Sequence, residues 1–381
     1  MMPSAVTESK GSRLKEIAYS CLKLGTIGFG GIAGMVATIE QEMVIRRKWI
    51  DHRHFMDVLS TSYIIPGPNA VEIVMHCGKE RAGRLGLVVA GICYILPAML
   101  ICLLFGYLYQ QYSELPHVQR FIWGIRPAIA ALVIGTVFRL AGTTLKNKYI
   151  LIALCLLVFI GAWLGINEVL LILGAGAVNY AAHAVKDRAS LFTGLLFTPL
   201  LLQISNRFSE GKLFLIFLKI GAVLYGSGYV LFAYMDESLV RNNHWLSRQQ
   251  LADAIAVGQI TPGPILSSAT FAGYLINGVS GGMLATLAIF LPSFFISFFL
   301  HSVLTAARKS AQLRLFLDGL SAASVSIIAV VGLHLLQQSV QQWQGAVILA
   351  LCLSLTLFIK RLNTVVIILT GSIAGFILAG I

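Results

Sequence analysis

Ile64-Ile65-Pro66-Gly67-Pro68-Asn69-Ala70-Val71-Glu72 and Gln259-Ile260-Thr261-Pro262-Gly263-Pro264-Ile265-Leu266-Ser267-Ser268 decide the fold. Each places Pro-Gly-Pro in the middle of an apolar run. Proline lacks an amide proton and clashes with the preceding turn, so two prolines around a glycine interrupt a helix. Broken backbone at membrane depth is tolerated only where protein or a cavity covers it.

The surrounding chain is apolar throughout. Of 381 residues 57% are hydrophobic and 12% charged, against about 25% charged in soluble domains; the mean hydropathy is +0.83. Apolar stretches of membrane-spanning length recur from end to end. The net charge of +12 comes from Lys and Arg in short loops, the positive-inside pattern, which argues against nucleic acid as a partner and for a lipid bilayer. Ile17–Ala37 is followed by no small-residue cleavage site and reads as a retained helix. The six cysteines form no CxxC pair and read as buried thiols. The eight histidines have no ligand spacing, which predicts no metal and no cofactor.

Working outward from the breaks reveals a repeat. At an offset of 196, Gly67 to Gly263, Lys23 meets Lys219, Gly25 meets Gly221, Gly30 meets Gly226, Trp49 meets Trp245, Asp57 meets Asp253 and Gly86 meets Gly282. A one-residue deletion then pairs Pro97 with Pro292 and Gly124 with Gly319. The expected domains are 1–185, a linker 186–212 carrying the short apolar stretch Leu191–Leu202, and 213–381. Each half is expected to open with one apolar helix (Glu16–Thr38; Leu213–Met235), followed by the broken segment (Phe55–His76; Leu251–Leu275) and four further helices. Either thirteen spans, or ten with the Pro-Gly-Pro segments dipping in and returning, satisfy the loop charges. Both start the halves from opposite sides. The expected fold is therefore an all-α polytopic membrane protein, two homologous halves forming an inverted repeat with Pro-Gly-Pro broken helices, as in secondary transporters that hold substrate near the midplane.

Site residues follow from chemistry. After each break a half-helix starts, and a helix N-terminus offers free N–H groups and positive potential to an anion. Asn69, Ser267 and Ser268 stand near those first turns beside Pro66, Gly67, Pro68, Pro262, Gly263 and Pro264. Lys23 and Lys219 are intramembrane cations, read either as substrate partners or as snorkelling side chains. Gly30, Gly31, Gly226 and Gly228 allow close approach of substrate or of another helix. Arg126 faces either the site or the headgroups. Asp57, Glu72 and Asp253 are the acids available to carry protons, although Asp57 and Asp253 also suit helix capping. No GxSxG, HExxH or Walker motif occurs, which speaks against an enzyme or an ATP-driven pump.

The stretches Lys23-Leu24-Gly25-Thr26-Ile27-Gly28-Phe29-Gly30-Gly31, Arg46-Arg47-Lys48-Trp49, Pro66-Gly67-Pro68, Gly83–Gly91 with Pro97, Gly124–Ala128 and Gly258-Gln259 before Pro262-Gly263-Pro264 resemble the chromate transporter family in its two-domain form. The chain departs at Ile32, where the family usually has proline. The resemblance implies efflux of chromate or a sulfate-like oxyanion across the cell (inner) membrane, driven by protons, with Gln259 joining the site. A negative cytoplasm drives a dianion outward, at about 2.3 kcal/mol per charge per 100 mV. An anion channel is the alternative; a membrane-embedded enzyme lacks a nucleophile–base pair. The oligomeric state is open, a homodimer included.

Overall fold

The computed structural model describes residues 9–28, 31–62, 67–145, 148–184, 208–225, 228–300, 310–359 and 362–378. Gly30, Pro66, Gly226 and the stretch Leu191–Leu202 lie outside the described residues. Those described are helical, with no strand among them. The first half comprises α1 (Lys10–Ile27), α2 (Gly31–Glu40), α3 (His52–Ser62), α4 (Asn69–Tyr112), α5 (Pro116–Thr144), α6 (Tyr149–Trp163) and α7 (Glu168–Ala184). The second comprises α8 (Glu210–Val223), α9 (Val230–Met235), α10 (Arg248–Ile260), α11 (Ser268–Phe295), α12 (Ala311–Ser339), α13 (Trp343–Phe358) and α14 (Thr364–Leu378). The runs containing α4, α5, α11 and α12 are long and apolar enough to cross a membrane.

The opening helix of each half is not the single span expected from sequence. Lys23 Nζ lies 3.2 Å from Glu42 Oε2, and Arg47 Nη1 lies 2.9 Å from Glu16 Oε1. A straight helix would hold Lys23 and Glu42 roughly 28 Å apart, so α1 and α2 fold back on each other. In the second half Lys212 at the start of α8 lies over the Trp245 ring, beyond the end of α9, so that pair folds back too. The helices stop where Gly28 and Leu224 take extended ψ values of 84° and 102°.

The broken segments also return. His54 near the start of α3 meets Glu80 at 3.5 Å. Trp49 and Arg81 both bond Glu16. The chain therefore enters through α3, breaks at Gly67 and Pro68, and comes back to its starting face by Arg81. It then reverses at Ala82 and Gly83 (φ +69°) and runs the length of α4. Asn277 and Gly278 (φ +59°) make the same reversal in α11. At these φ values glycine avoids the Cβ penalty. The arms touch through glycines: Gly78 against the Gly86 carbonyl, and Gly273 against the Gly281 carbonyl. These contacts correct the repeat register. Gly86 corresponds to Gly281, not Gly282, so the deletion falls between Gly67 and Gly78, and the counterpart of Glu72 is one of the two serines Ser267 and Ser268.

The two halves start from opposite ends of the molecule. The arm from Arg84 to Tyr109 is roughly 38 Å long, and its far end meets the second half near its beginning, where Tyr109 Oη donates to Asp253 Oδ2 at 2.8 Å. At the same end Arg241 pairs with Glu168 in the α6–α7 turn. At the other end Lys148 meets Asp318 of α12. The halves interlock: α5 packs on α13 and α14, and α12 on α6 and α7. Glycines bring the backbones together, Gly124 against Gly371 and Gly375 on one side and Gly319 against Ala175 and Gly176 on the other. Without a water-driven hydrophobic term inside lipid, such close small-residue packing is a main cohesive force.

Candidate substrate site

The candidate site lies where the four re-entrant pairs meet. The Gly67 amide (φ +132°) donates to the Leu224 carbonyl at 2.8 Å, and the Gly263 amide (φ +96°) donates to the Gly28 carbonyl at 2.9 Å. The two bonds are repeat equivalents, each crossing from one half's Pro-Gly-Pro to the other half's opening helix. Ending α1 and α8 at Gly28 and Leu224 leaves those carbonyls without intrahelical donors, and the broken segments supply them. Tyr94 Oη stands close to Gly28, and a side chain at Gly67 would occupy the place of Ser293 Oγ.

The two sides of the site differ in chemistry. On the Gly67 side, the first turn of α4 carries Glu72, fully buried; its carboxyl oxygens and the nearby Ser293 hydroxyl have no hydrogen-bond partner among the described residues. No cation pairs with it among the described residues. On the Gly263 side, the matching turn carries Ser267 and Ser268 and no acid. There Thr261, Ser267 and Cys102 gather, the Cys102 thiol 3.6 Å from Thr261 Oγ1. Ser267 Oγ, Gln259 Nε2 and Tyr94 Oη are buried without a hydrogen-bond partner among the described residues. Buried polar atoms of this kind cost free energy unless a ligand or water meets them. The Gly263 side thus offers neutral donors to an anion, and the Gly67 side offers a carboxyl to a proton.

The remaining residues singled out from sequence are distributed as follows. Pro68, Pro262 and Pro264 are buried at the breaks, and Asn69 begins α4 half-buried. Gly31 starts α2, and Gly228 lies against Ile265 after the second break. Lys23 points to Glu42 rather than to either break. Lys219 is exposed, with no ion-pair partner among the described residues. Arg126 pairs with Asp253 of the other half, Nε to Oδ1 and Nη2 to Oδ2 both at 3.4 Å. Asp57, the repeat equivalent of Asp253, is exposed on α3. Sequence reasoning missed Tyr94, Cys102, Tyr109 and Ser293, all on the long arms of α4 and α11. Apolar surroundings hid them; the offset repeat, which aligns Ser293 with Ala98, was the one available signal. No cluster of metal-ligating side chains occurs among the described residues.

Re-entrant broken helices from two homologous, interlocked halves around a buried polar centre define a multi-pass membrane transport protein. The chain belongs to the chromate transporter family: the model described as "Chromate transporter" matches residues 15–180 and again 211–376. It is 29% identical over 375 residues to a probable chromate transport protein of Synechococcus elongatus, covering 96% of this chain and 95% of that protein. It is 26% identical over 381 residues to a chromate transport protein of Cupriavidus metallidurans (96% and 93%), and 28% identical over 376 residues to one of Pseudomonas aeruginosa (93% and 90%). No solved structure matches it.

Proposed function

We propose that the protein exports chromate or a related tetrahedral oxyanion through the cell membrane as a secondary transporter, with inward proton movement contributing to the driving force. The observation that carries this reading is the unlike chemistry of the two matching turns, Glu72 in one and Ser267 with Ser268 in the other. The anion sits against the Gly263 break, where backbone N–H groups, Ser267 and Gln259 give it directed donors. Glu72 holds the proton. The end of the molecule bearing Arg13, Arg46, Arg47, Lys48, Arg81 and Arg84 is the more basic and faces the cytoplasm by the positive-inside rule. An oxyanion carrying two charges then gains roughly 4.6 kcal/mol per 100 mV on leaving. Two re-entrant sets starting from opposite faces provide alternating access about a fixed centre, which a channel does not need.

The test is flux of chromate, sulfate and molybdate in proteoliposomes under imposed pH and voltage gradients. Saturable chromate movement accelerated by a proton gradient is expected. Non-saturable conductance indifferent to pH would establish the channel instead.

A further inference from the structure

We infer that the cleft beside Arg126 is a second oxyanion subsite on the outer side of the centre, in which the departing anion takes Arg126 from Asp253; this rests on the export reading above. The cleft has a volume of about 630 Å³, and its lining includes Arg120, Arg126, Trp123, Gln249 and Gln342, with one carboxylate, Glu114. Both halves build it: Arg120, Trp123 and Arg126 come from α5, Gln249 from α10 and Gln342 from the α12–α13 turn. It opens at the end of the molecule opposite the basic Glu16 end.

The geometry at Arg126 is that of an exchangeable partner. Its side chain is 22% exposed whereas that of Asp253 is 4% exposed. The guanidinium therefore reaches the cleft while the carboxylate lies behind it. Both Arg126–Asp253 contacts are long at 3.4 Å, but Tyr109 donates to the same carboxylate at 2.8 Å. Asp253 thus keeps a hydrogen bond when Arg126 turns away, and the planar guanidinium suits a tetrahedral oxyanion through two parallel N–H bonds. Gln119, Gln249 and Gln342 add neutral amide donors.

The cleft communicates with the centre through α10. Asp253 lies ten residues before Gly263, roughly 15 Å along the chain when helical. Releasing Asp253 from Arg126 removes one tie between α5 and α10, the helix of the other half that leads into the Gly263 break. The arrangement is one-sided, because Ser321 stands where Arg126 would be repeated. Only the outer end therefore carries this latch among the described residues.

The test uses the purified full chain titrated with sulfate, reading Trp123 emission as the difference between wild type and Trp123→Phe. Saturable binding is expected. Arg126→Ala should remove it and Arg126→Lys should weaken it about tenfold, the loss of a bidentate charge-assisted pair. Asp253→Asn, which removes the competitor, should tighten it several-fold. Tyr109→Phe, which returns Asp253 fully to Arg126, should weaken it. Unchanged or weaker binding in folded Asp253→Asn overturns the inference, as does binding that survives Arg126→Ala. A wild-type protein that moves no chromate in vesicles removes the export reading, whereas a cleft signal indifferent to Asp253 removes the latch alone.

Discussion

The amide of Gly67 donates to the carbonyl of Leu224, 2.8 Å away in the other half of the chain. Its counterpart from Gly263 to Gly28 completes a reciprocal exchange that ties each broken segment to the opposite half. A side chain at Gly67 would collide with Ser293 Oγ, and its φ of +132° excludes other residues. At Gly263 a Cβ would lie 3.1 Å from that of Ala98, with φ +96°. Gly67→Leu and Gly263→Leu should each stop chromate flux while leaving the protein in the membrane. Gly263→Ala should retain part of it, since Ala98 gives by a few tenths of an ångström, whereas Gly67→Ala should not. Normal flux in the leucine variants, measured against membrane content, would take the breaks out of the site.

Glu72 separates proton coupling from anion binding. Glu72→Gln keeps the shape and a donor to Ser293 but cannot exchange a proton. Chromate counterflow at equal pH on both sides should persist in this variant, and acceleration by a pH gradient should vanish. Retained acceleration would move the proton elsewhere, Asp57 and Asp253 being the other acids in the membrane-embedded elements considered for it.

The cluster around Glu42 predicts how stability depends on pH. Burial alone would raise the Glu42 carboxyl, but hydrogen bonds from Arg47 and Lys23 outweigh it and hold it below its ordinary value. The unfolded chain then binds the proton more readily, so the contribution is complete above the ordinary carboxylate range, about pH 4.3. It is lost as pH falls through the lower folded value. Thermal unfolding in detergent should show this acid-side loss in wild type and less of it in Glu42→Gln. Glu42→Gln should also lower stability by roughly 2 kcal/mol, because it leaves Lys23 and Arg47 poorly paired. Lys23→Met should share that penalty rather than add to it. If Lys23 serves Glu42 and not the substrate, chromate affinity by calorimetry stays within about twofold in Lys23→Met, well short of the cost of removing a charge-assisted contact.

Orientation is open to direct labelling. Lys48→Cys and Asn243→Cys place thiols in equivalent loops at the two ends of the molecule, while the native cysteines are buried or half-buried. A membrane-impermeant maleimide added outside intact cells should label the position-243 variant and spare the position-48 variant. Labelling of both from the same side would contradict the inverted arrangement.

The amino-acid sequence by itself determined the membrane environment, the two halves and the breaks, because these rest on local chemistry. Apolar run length decides partition into lipid, Pro-Gly-Pro decides where a helix stops, and the offset between Gly67 and Gly263 exposes the repeat. Loop charges also implied opposed starting faces. Only the tertiary structure decided that α1 and α2, like α8 and α9, fold back instead of spanning. Nothing in an apolar glycine-rich run says which way the chain leaves, and that choice depends on a donor from the other half reaching Gly28 or Leu224. Side-chain partners were equally invisible. Lys23 and Lys219 are identical in sequence and repeat position, yet Lys23 has Glu42 within reach while Lys219 is exposed, because Ser238 stands where Glu42 would be repeated. Arg126 and Asp253, 127 residues apart, meet because the inverted second half brings the start of α10 to the far end of α4, a long-range juxtaposition that no local pattern encodes.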